Sequence, residues 1–152
     1  MDRYDFMREA LILAKEAAKK DEVPVGCVIV KDSQIIARSN NRTKRDCSPT
    51  KHAEILAIEE AGKVLESDNL TGCDLYVTLE PCPMCAGAII NAKINKVVFG
   101  AFDLNYGACG SVINLFSLPN THTPECYGGI MEDDCSIVLK EFFENIRKQK
   151  RE

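Results

Sequence analysis

The 152-residue chain has no apolar run approaching the roughly 20 residues of a membrane-spanning helix, which excludes a helical membrane protein. Its start, Met1-Asp2-Arg3-Tyr4-Asp5, is polar and lacks the basic opening and apolar block of a secretory signal. A cytoplasmic protein is therefore expected. No low-complexity tract, internal repeat or Gly/Ser/Pro-rich linker divides the chain, so residues 1–152 are expected to form one domain. Net positive charge is missing too: at −4, the chain offers no general field for nucleic acid. Its cations are local. Arg38, Arg42, Lys44, Arg45 and Lys51 form one cluster, and Arg147, Lys148, Lys150 and Arg151 form another. Either can meet phosphate, although charge runs commonly just face solvent and basic residues also suit a helix C-terminus.

Hydrophobic residues make up 45% and charged residues 28%, enough of each for a soluble globular core. Eight cysteines would suggest disulfides in a small exported chain, but without an export signal free thiols or metal ligands are expected. Cys27 and Cys73 border apolar stretches and read as small buried hydrophobes; Cys47, Cys109, Cys126 and Cys135 have no ligand partner close in sequence.

The local patterns alternate between helix and strand. Phe6, Ala10, Leu13, Ala14 and Ala17 recur at helical spacing over residues 3–20. Residues 25–30 and 34–38 form a hairpin about Lys31-Asp32-Ser33. Thr50 caps a helix to about Leu65, residues 74–79 form a strand, and Pro81 or Pro83 opens a short helix through Asn91. Residues 96–101 form another strand. Ser136–Val138 reads either as a fifth strand or as part of a last helix over 132–148, with helix favoured. The expected class is α/β: a three-layer α/β/α domain around a central mixed sheet of about five strands, mostly parallel at its core.

Two short motifs carry the chemistry. His52-Ala53-Glu54 supplies an imidazole and a carboxylate, and Pro81-Cys82-Pro83-Met84-Cys85 supplies two thiols. Zinc takes sulfur and nitrogen donors in a tetrahedral shell, and three protein ligands leave one position for water. Zinc lowers the pKa of such a water, and an adjacent carboxylate can move its protons. His52, Cys82 and Cys85 are thus the candidate zinc ligands and Glu54 the candidate acid–base. Cys82 and Cys85 are three apart, so one helical turn presents both sulfurs on one side. His52 and Glu54 are two apart and share a cleft only if they stand at a helix start. The backbone N–H of Cys82 is placed to stabilise a developing oxyanion. A redox pair or a structural clip is the competing reading; a clip needs a fourth ligand, for which Cys47 and His122 are candidates.

The H-x-E…P-C-x-x-C spacing is the signature of zinc nucleobase deaminases. The resemblance extends through Glu22-Val23-Pro24-Val25-Gly26, Asn41-Arg42, Leu75-Tyr76-Val77-Thr78-Leu79-Glu80, Val97-Val98-Phe99-Gly100-Ala101 and Phe142-Phe143-Glu144-Asn145-Ile146-Arg147. From about Tyr4 to Lys148 the chain resembles the bacterial tRNA-specific adenosine deaminase family of the cytidine deaminase superfamily. That resemblance implies a cytidine-deaminase-like fold, one Zn2+ per subunit, a cytoplasmic homodimer, and conversion of adenosine to inosine at the wobble position of a tRNA anticodon stem-loop. It further implies that Asn41 hydrogen-bonds the base, that Val25 and Leu79 line its pocket, that the Ala53 backbone contacts it, and that Asp103 lies near the ribose. Phe143 and Arg147 would touch RNA. The sequence departs from the family at Phe102, where a charged residue is common, and at Thr121-His122-Thr123, which replaces Asn-His-Arg. A deaminase of a free nucleobase or nucleoside (guanine, cytosine or cytidine) is the alternative, and a non-catalytic zinc-stabilised binding protein the more distant one.

Overall fold

A computed structural model describes residues 1–151. Helix α1 (Arg3–Lys19) begins at Asp2, whose carboxylate accepts from the N–H groups of Tyr4 and Asp5, while the Asp5 carboxylate accepts from the Asp2 N–H. This reciprocal cap satisfies donors that the helix start would leave bare. The hairpin follows as strands β1 (Gly26–Lys31) and β2 (Gln34–Asn40). Asp32 and Ser33 both take positive φ, 51° and 62°, as a two-residue turn between right-twisted strands requires. Then come α2 (Ala53–Leu65), β3 (Cys73–Leu79), α3 (Pro83–Ala92), β4 (Lys96–Ala101), a single 3₁₀ turn at Leu115–Ser117, β5 (Glu125–Tyr127) and α4 (Glu132–Arg151).

The five strands lie in the order β2-β1-β3-β4-β5. β1 is antiparallel to both β2 and β3, whereas β3, β4 and β5 run parallel. The sheet is therefore evenly mixed rather than mostly parallel, because the β1–β2 hairpin inserts two antiparallel pairings. Alternate strand residues feed two cores. Cys27, Ile29, Leu75, Val77, Val97 and Phe99 pack with the α2 and α3 alanines and isoleucines on one face. Val28, Val30, Tyr76 and Val98 pack with Phe6, Met7, Ala10 and Leu11 of α1 and Cys135 of α4 on the other. Period-2 strands between amphipathic helices give the three layers. Gly26 lets α1 lie close on β1: a Cβ there would overlap the carbonyl oxygen of Ala10.

The structure differs from the local sequence pattern at two further points. β5 was not expected; it is a three-residue edge strand whose outer residues are exposed, too short to show a period. Ser136–Val138 is not that strand but lies inside α4, as the favoured helical reading has it. Thr50 does not cap α2. The chain turns at Pro49–Thr50, the N-cap is His52, and its imidazole makes no capping bond because it faces the thiols. Among the described residues no helix is long and apolar enough to cross a membrane.

Candidate zinc centre and base pocket

His52 and Cys82 occupy equivalent places. Each is the N-cap of its helix, α2 or α3, with extended backbone (φ −72°, ψ 154°; φ −76°, ψ 173°) and no side-chain cap bond. Good capping residues are Ser, Thr, Asp and Asn. Imidazole and thiol at both caps therefore sacrifice local helix stability to aim two donors at one point. Pro83 sits at the first helical position of α3, where its missing N–H costs nothing. Cys85 follows in the first turn and is fully buried.

The donor atoms converge. His52 Nδ1 lies 3.6 Å from Cys82 Sγ and 3.5 Å from Cys85 Sγ. Zinc bonds of about 2.3 Å to sulfur and 2.0–2.1 Å to nitrogen, at a tetrahedral angle, set sulfur and nitrogen about 3.6 Å apart. Both nitrogen–sulfur edges thus match a zinc tetrahedron, and all three donor atoms lie within 4.8 Å of one another. Among the described residues these three form the only group of at least three close donors. The two candidates for a fourth ligand lie elsewhere: His122 Nε2 contacts the carbonyl of Ile94, and Cys47 is exposed, its thiol donating to the carbonyl of Lys44.

Charge at the cluster follows from its crowding. The Cys85 thiol hydrogen bond, opposed by burial but helped by His52, pulls Cys82 down to about 4. That same bond, with burial, pushes Cys85 well above the ordinary thiol value. This crowding favours one thiolate beside one thiol, and a bound cation would let both ionise. The hydrogen bond with Cys82 raises the His52 pKa against burial. Glu54 stands in the first turn of α2, only 4% exposed. Burial drives its pKa up to about 7, with its own backbone N–H and His52 pulling the other way. A carboxyl poised near neutrality can both take and return a proton.

A cavity of about 840 Å³ opens above this floor. Val25, Asn41, Leu79 and Asp103 line it, together with His52, Glu54 and Cys82. Phe143 reaches it from α4 and is 42% exposed, while Phe142 is buried. Arg147, one turn beyond Phe143, is exposed and is not part of the lining. Ala53 is also absent from the lining; its side chain is in the core and its carbonyl accepts the Ser39 hydroxyl. Asn41 is 6% exposed, and its Oδ1 has no partner among the described residues.

Two further carboxylates shape the walls, and sequence reading assigned neither a role. Glu22, fully buried, accepts from the N–H groups of Lys44 and Arg45 and pairs with the Arg45 guanidinium at 3.2 Å, holding the loop behind Asn41 and Thr43. Glu80 accepts from the N–H groups of Asp103, Cys109 and Ser111 and from the Ser111 hydroxyl, holding the opposite wall. The available signal was a charged residue embedded beside proline in an apolar motif, as in Glu22-Val23-Pro24 and Glu80-Pro81.

Burial alone would raise the Glu22 pKa, but the N–H bonds and guanidinium outweigh it and hold the carboxyl below its ordinary value. A depressed folded pKa contributes stability in full above the unfolded value, about 4.3, and loses it as pH falls through the folded one. Glu22→Gln should therefore melt below the parent at pH 7, and the gap should narrow as pH drops below about 4.3. Thermal melts between pH 3 and 7 check this; a gap independent of pH rejects it.

The profile of the cytidine and deoxycytidylate deaminase zinc-binding region matches residues 1–101. The chain is 45% identical over 147 residues to the tRNA-specific adenosine deaminase of Bacillus subtilis (strain 168), covering 96% of this chain and 91% of that one. A solved structure from studies of A-to-I editing by tRNA:A34 deaminases at the wobble position superposes with a TM-score of 0.87 at 46% identity, over 90% of this chain and 100% of that one. The guanine deaminase of Bacillus subtilis is more distant, with a TM-score of 0.65 and 34% identity over 78% of this chain and 86% of that one.

Proposed function

The chain belongs to the cytidine and deoxycytidylate deaminase family and, within it, to the tRNA-specific adenosine deaminases, and from that premise we propose that it hydrolytically deaminates adenosine to inosine at the wobble position of a tRNA anticodon. The observation that carries this reading is a buried carboxyl, Glu54, beside a zinc-sized His52–Cys82–Cys85 triangle at the floor of a base-accessible cavity. Residues 1–152 act as one zinc-dependent deaminase domain in this reading.

Zinc is the cofactor, and His52, Cys82 and Cys85 are the residues that would hold it. When bound, it supplies Lewis-acid activation of water. The chain's own work is proton traffic and base positioning. Deamination needs a proton removed from the attacking water and protons delivered to the ring and to the departing ammonia. Three carboxylates border the cavity. Glu80 is saturated by its loop donors, and one oxygen of Asp103 already accepts from the N–H groups of Asn105 and Tyr106. Glu54 is left as the proton carrier, and its pKa of about 7 suits both directions of transfer. The Cys82 N–H, at a helix start, faces developing oxygen charge.

Asn41 offers an unpaired buried acceptor to an N–H of the base, with Val25 and Leu79 as apolar walls. The ribose lies by Asp103. The backbone at Ala53 bounds the base, and Phe143 and Arg147 meet the anticodon loop. Asn41→Ala is expected to keep zinc and lose about ten- to a hundredfold in kcat/KM, the value of one buried hydrogen bond. Parent-like kinetics would remove Asn41 from recognition.

The protein works in the cytoplasm as a homodimer in this reading. Exposed Met84 on α3, with Val112, Ile113 and Leu118 in the adjoining loops, supplies an apolar face for a second copy. The deciding experiment is inosine formation on a panel of anticodon stem-loops, run beside free guanine, adenosine, cytosine and cytidine. Turnover is expected on adenosine-34 stem-loops. Deamination of a free base or nucleoside alone, with every stem-loop untouched, overturns the assignment.

A further inference from the structure

The wall of the cavity opposite Asn41 is unusual in what it exposes. Leu104 is 79% exposed, Tyr106 70% and Phe102 45%, and all three line the cavity. Large apolar side chains left bare in one short segment mark a surface that something covers. The segment is also held rigidly. The Glu80 carboxylate, 2% exposed, accepts the Asp103 N–H at 3.1 Å, and the Asp103 carboxylate accepts the N–H groups of Asn105 and Tyr106, both at 3.0 Å. Gly107 leaves the space that the Glu80 carboxylate occupies; a Cβ there would overlap it. Phe102 stands edge-on against Phe99, with ring centroids 5.1 Å apart. A backbone already held in this way leaves less to order when a ligand binds.

Charge decides what fits. Residues 102–107 contain one anion, Asp103, and no cation, so this wall does not attract phosphate. Across the cavity, three of the four cations of the loop 42–51 are already matched: Arg42 by Asp46, Arg45 by Glu22 and Lys51 by Glu59. What the wall does suit is the face of an unstacked nucleobase, which stacks on aromatic and apolar groups whatever its identity.

We infer that Phe102, Leu104 and Tyr106 form a stacking wall for the unpaired nucleobase next to the adenosine held in the cavity. This rests on the RNA-deaminating reading above and deepens it. The adjacent base leaves the loop stack and lies on the wall, so that the strand is splayed and its adenosine can enter. Glu80 acts as a positioning residue, holding the wall in place through backbone N–H groups.

The test uses zinc-loaded Glu54→Ala protein and an anticodon stem-loop carrying 2-aminopurine on either side of the target adenosine. Binding should change the 2-aminopurine emission at one flanking position and not the other. Adding Leu104→Ala and Tyr106→Ala should abolish that change and weaken binding by about 5- to 150-fold, the range of one base–aromatic stack. The dependence of affinity on salt should keep its slope, since no charge is lost; Lys44→Ala should instead lower the slope by about 0.7 if Lys44 meets a phosphate. Tyr106→Phe, with Leu104 intact, should behave as the parent because the ring and not the hydroxyl makes the stack. If the double variant binds RNA as tightly as the parent while the active enzyme still forms inosine, the wall is overturned alone. A changed oligomeric state in the double variant, read by light scattering, assigns the patch to a second copy and also overturns it. Failure of the active enzyme on every stem-loop overturns the RNA reading itself, and the wall with it.

Discussion

Glu54→Ala protein should hold one zinc per chain, melt close to the parent, and form inosine at least about 10³-fold more slowly. The size follows from the number of proton movements assigned to one group. General acid–base catalysis contributes about 10²–10⁴-fold, and a single carboxyl that serves the water, the ring and the leaving amine belongs at the upper end of that range. The retained fold follows from burial. Glu54 is 4% exposed, and its pKa is pushed to about 7, so the folded protein holds this carboxyl at a cost. Removing it relieves that cost and leaves a space open to the cavity, not a sealed void. Glu54→Gln separates shape from chemistry: it keeps the volume and still cannot shuttle a proton. Metal analysis, thermal melts and mass-spectrometric inosine counts decide the matter. Turnover within tenfold of the parent removes Glu54 from the mechanism.

Cys85→Ser should reduce zinc from one per chain to near zero, abolish deamination and lower the melting temperature by on the order of 10 °C. A hydroxyl is a poor replacement for thiolate at zinc, and the site then has two soft or borderline donors instead of three. Ligand binding to the folded state adds RT ln(1 + [L]/Kd), about 4 kcal/mol when free zinc is a thousandfold above Kd. In a chain of this size each kcal/mol moves the melting point by roughly 2–4 °C. Burial sharpens the expectation, because Cys85 is fully buried and Cys82 is not, so Ser at position 85 also strands a hydroxyl in the core. A chelator supplies the control. It should bring the parent down toward the variant and leave the variant's melt unmoved. Stoichiometric zinc in Cys85→Ser would strike this sulfur from the ligand set, and a chelator-insensitive parent would show that the metal does not support the fold.

Much of this molecule is legible before folding because its signals are local. The α1 stripe needs only a period of 3.6, and β4 needs only a run of apolar residues between polar ends. The zinc donors are legible because sulfur and imidazole at those spacings have few other uses. β5 escapes the same reading: three residues at a sheet edge carry no period, and parallel pairing to β4 is a long-range event. The start of α2 was displaced for a related reason. Thr50 has the better capping chemistry, yet convergence with the two thiols holds His52 at the cap instead.

The residue order alone nominated the candidate metal ligands and proton carrier, since donor type and spacing are properties of the chain: His52, Cys82 and Cys85, with Glu54. Only the tertiary structure decided which carboxylates are free to act. Glu22 and Glu80 carry no assignable role in sequence, and packing surrounds both with backbone N–H groups from loops some 20 to 30 residues away. It also decided that Phe102, Leu104 and Tyr106 stand bare on a cavity wall, because exposure is set by what else folds against a side chain and not by the side chain itself.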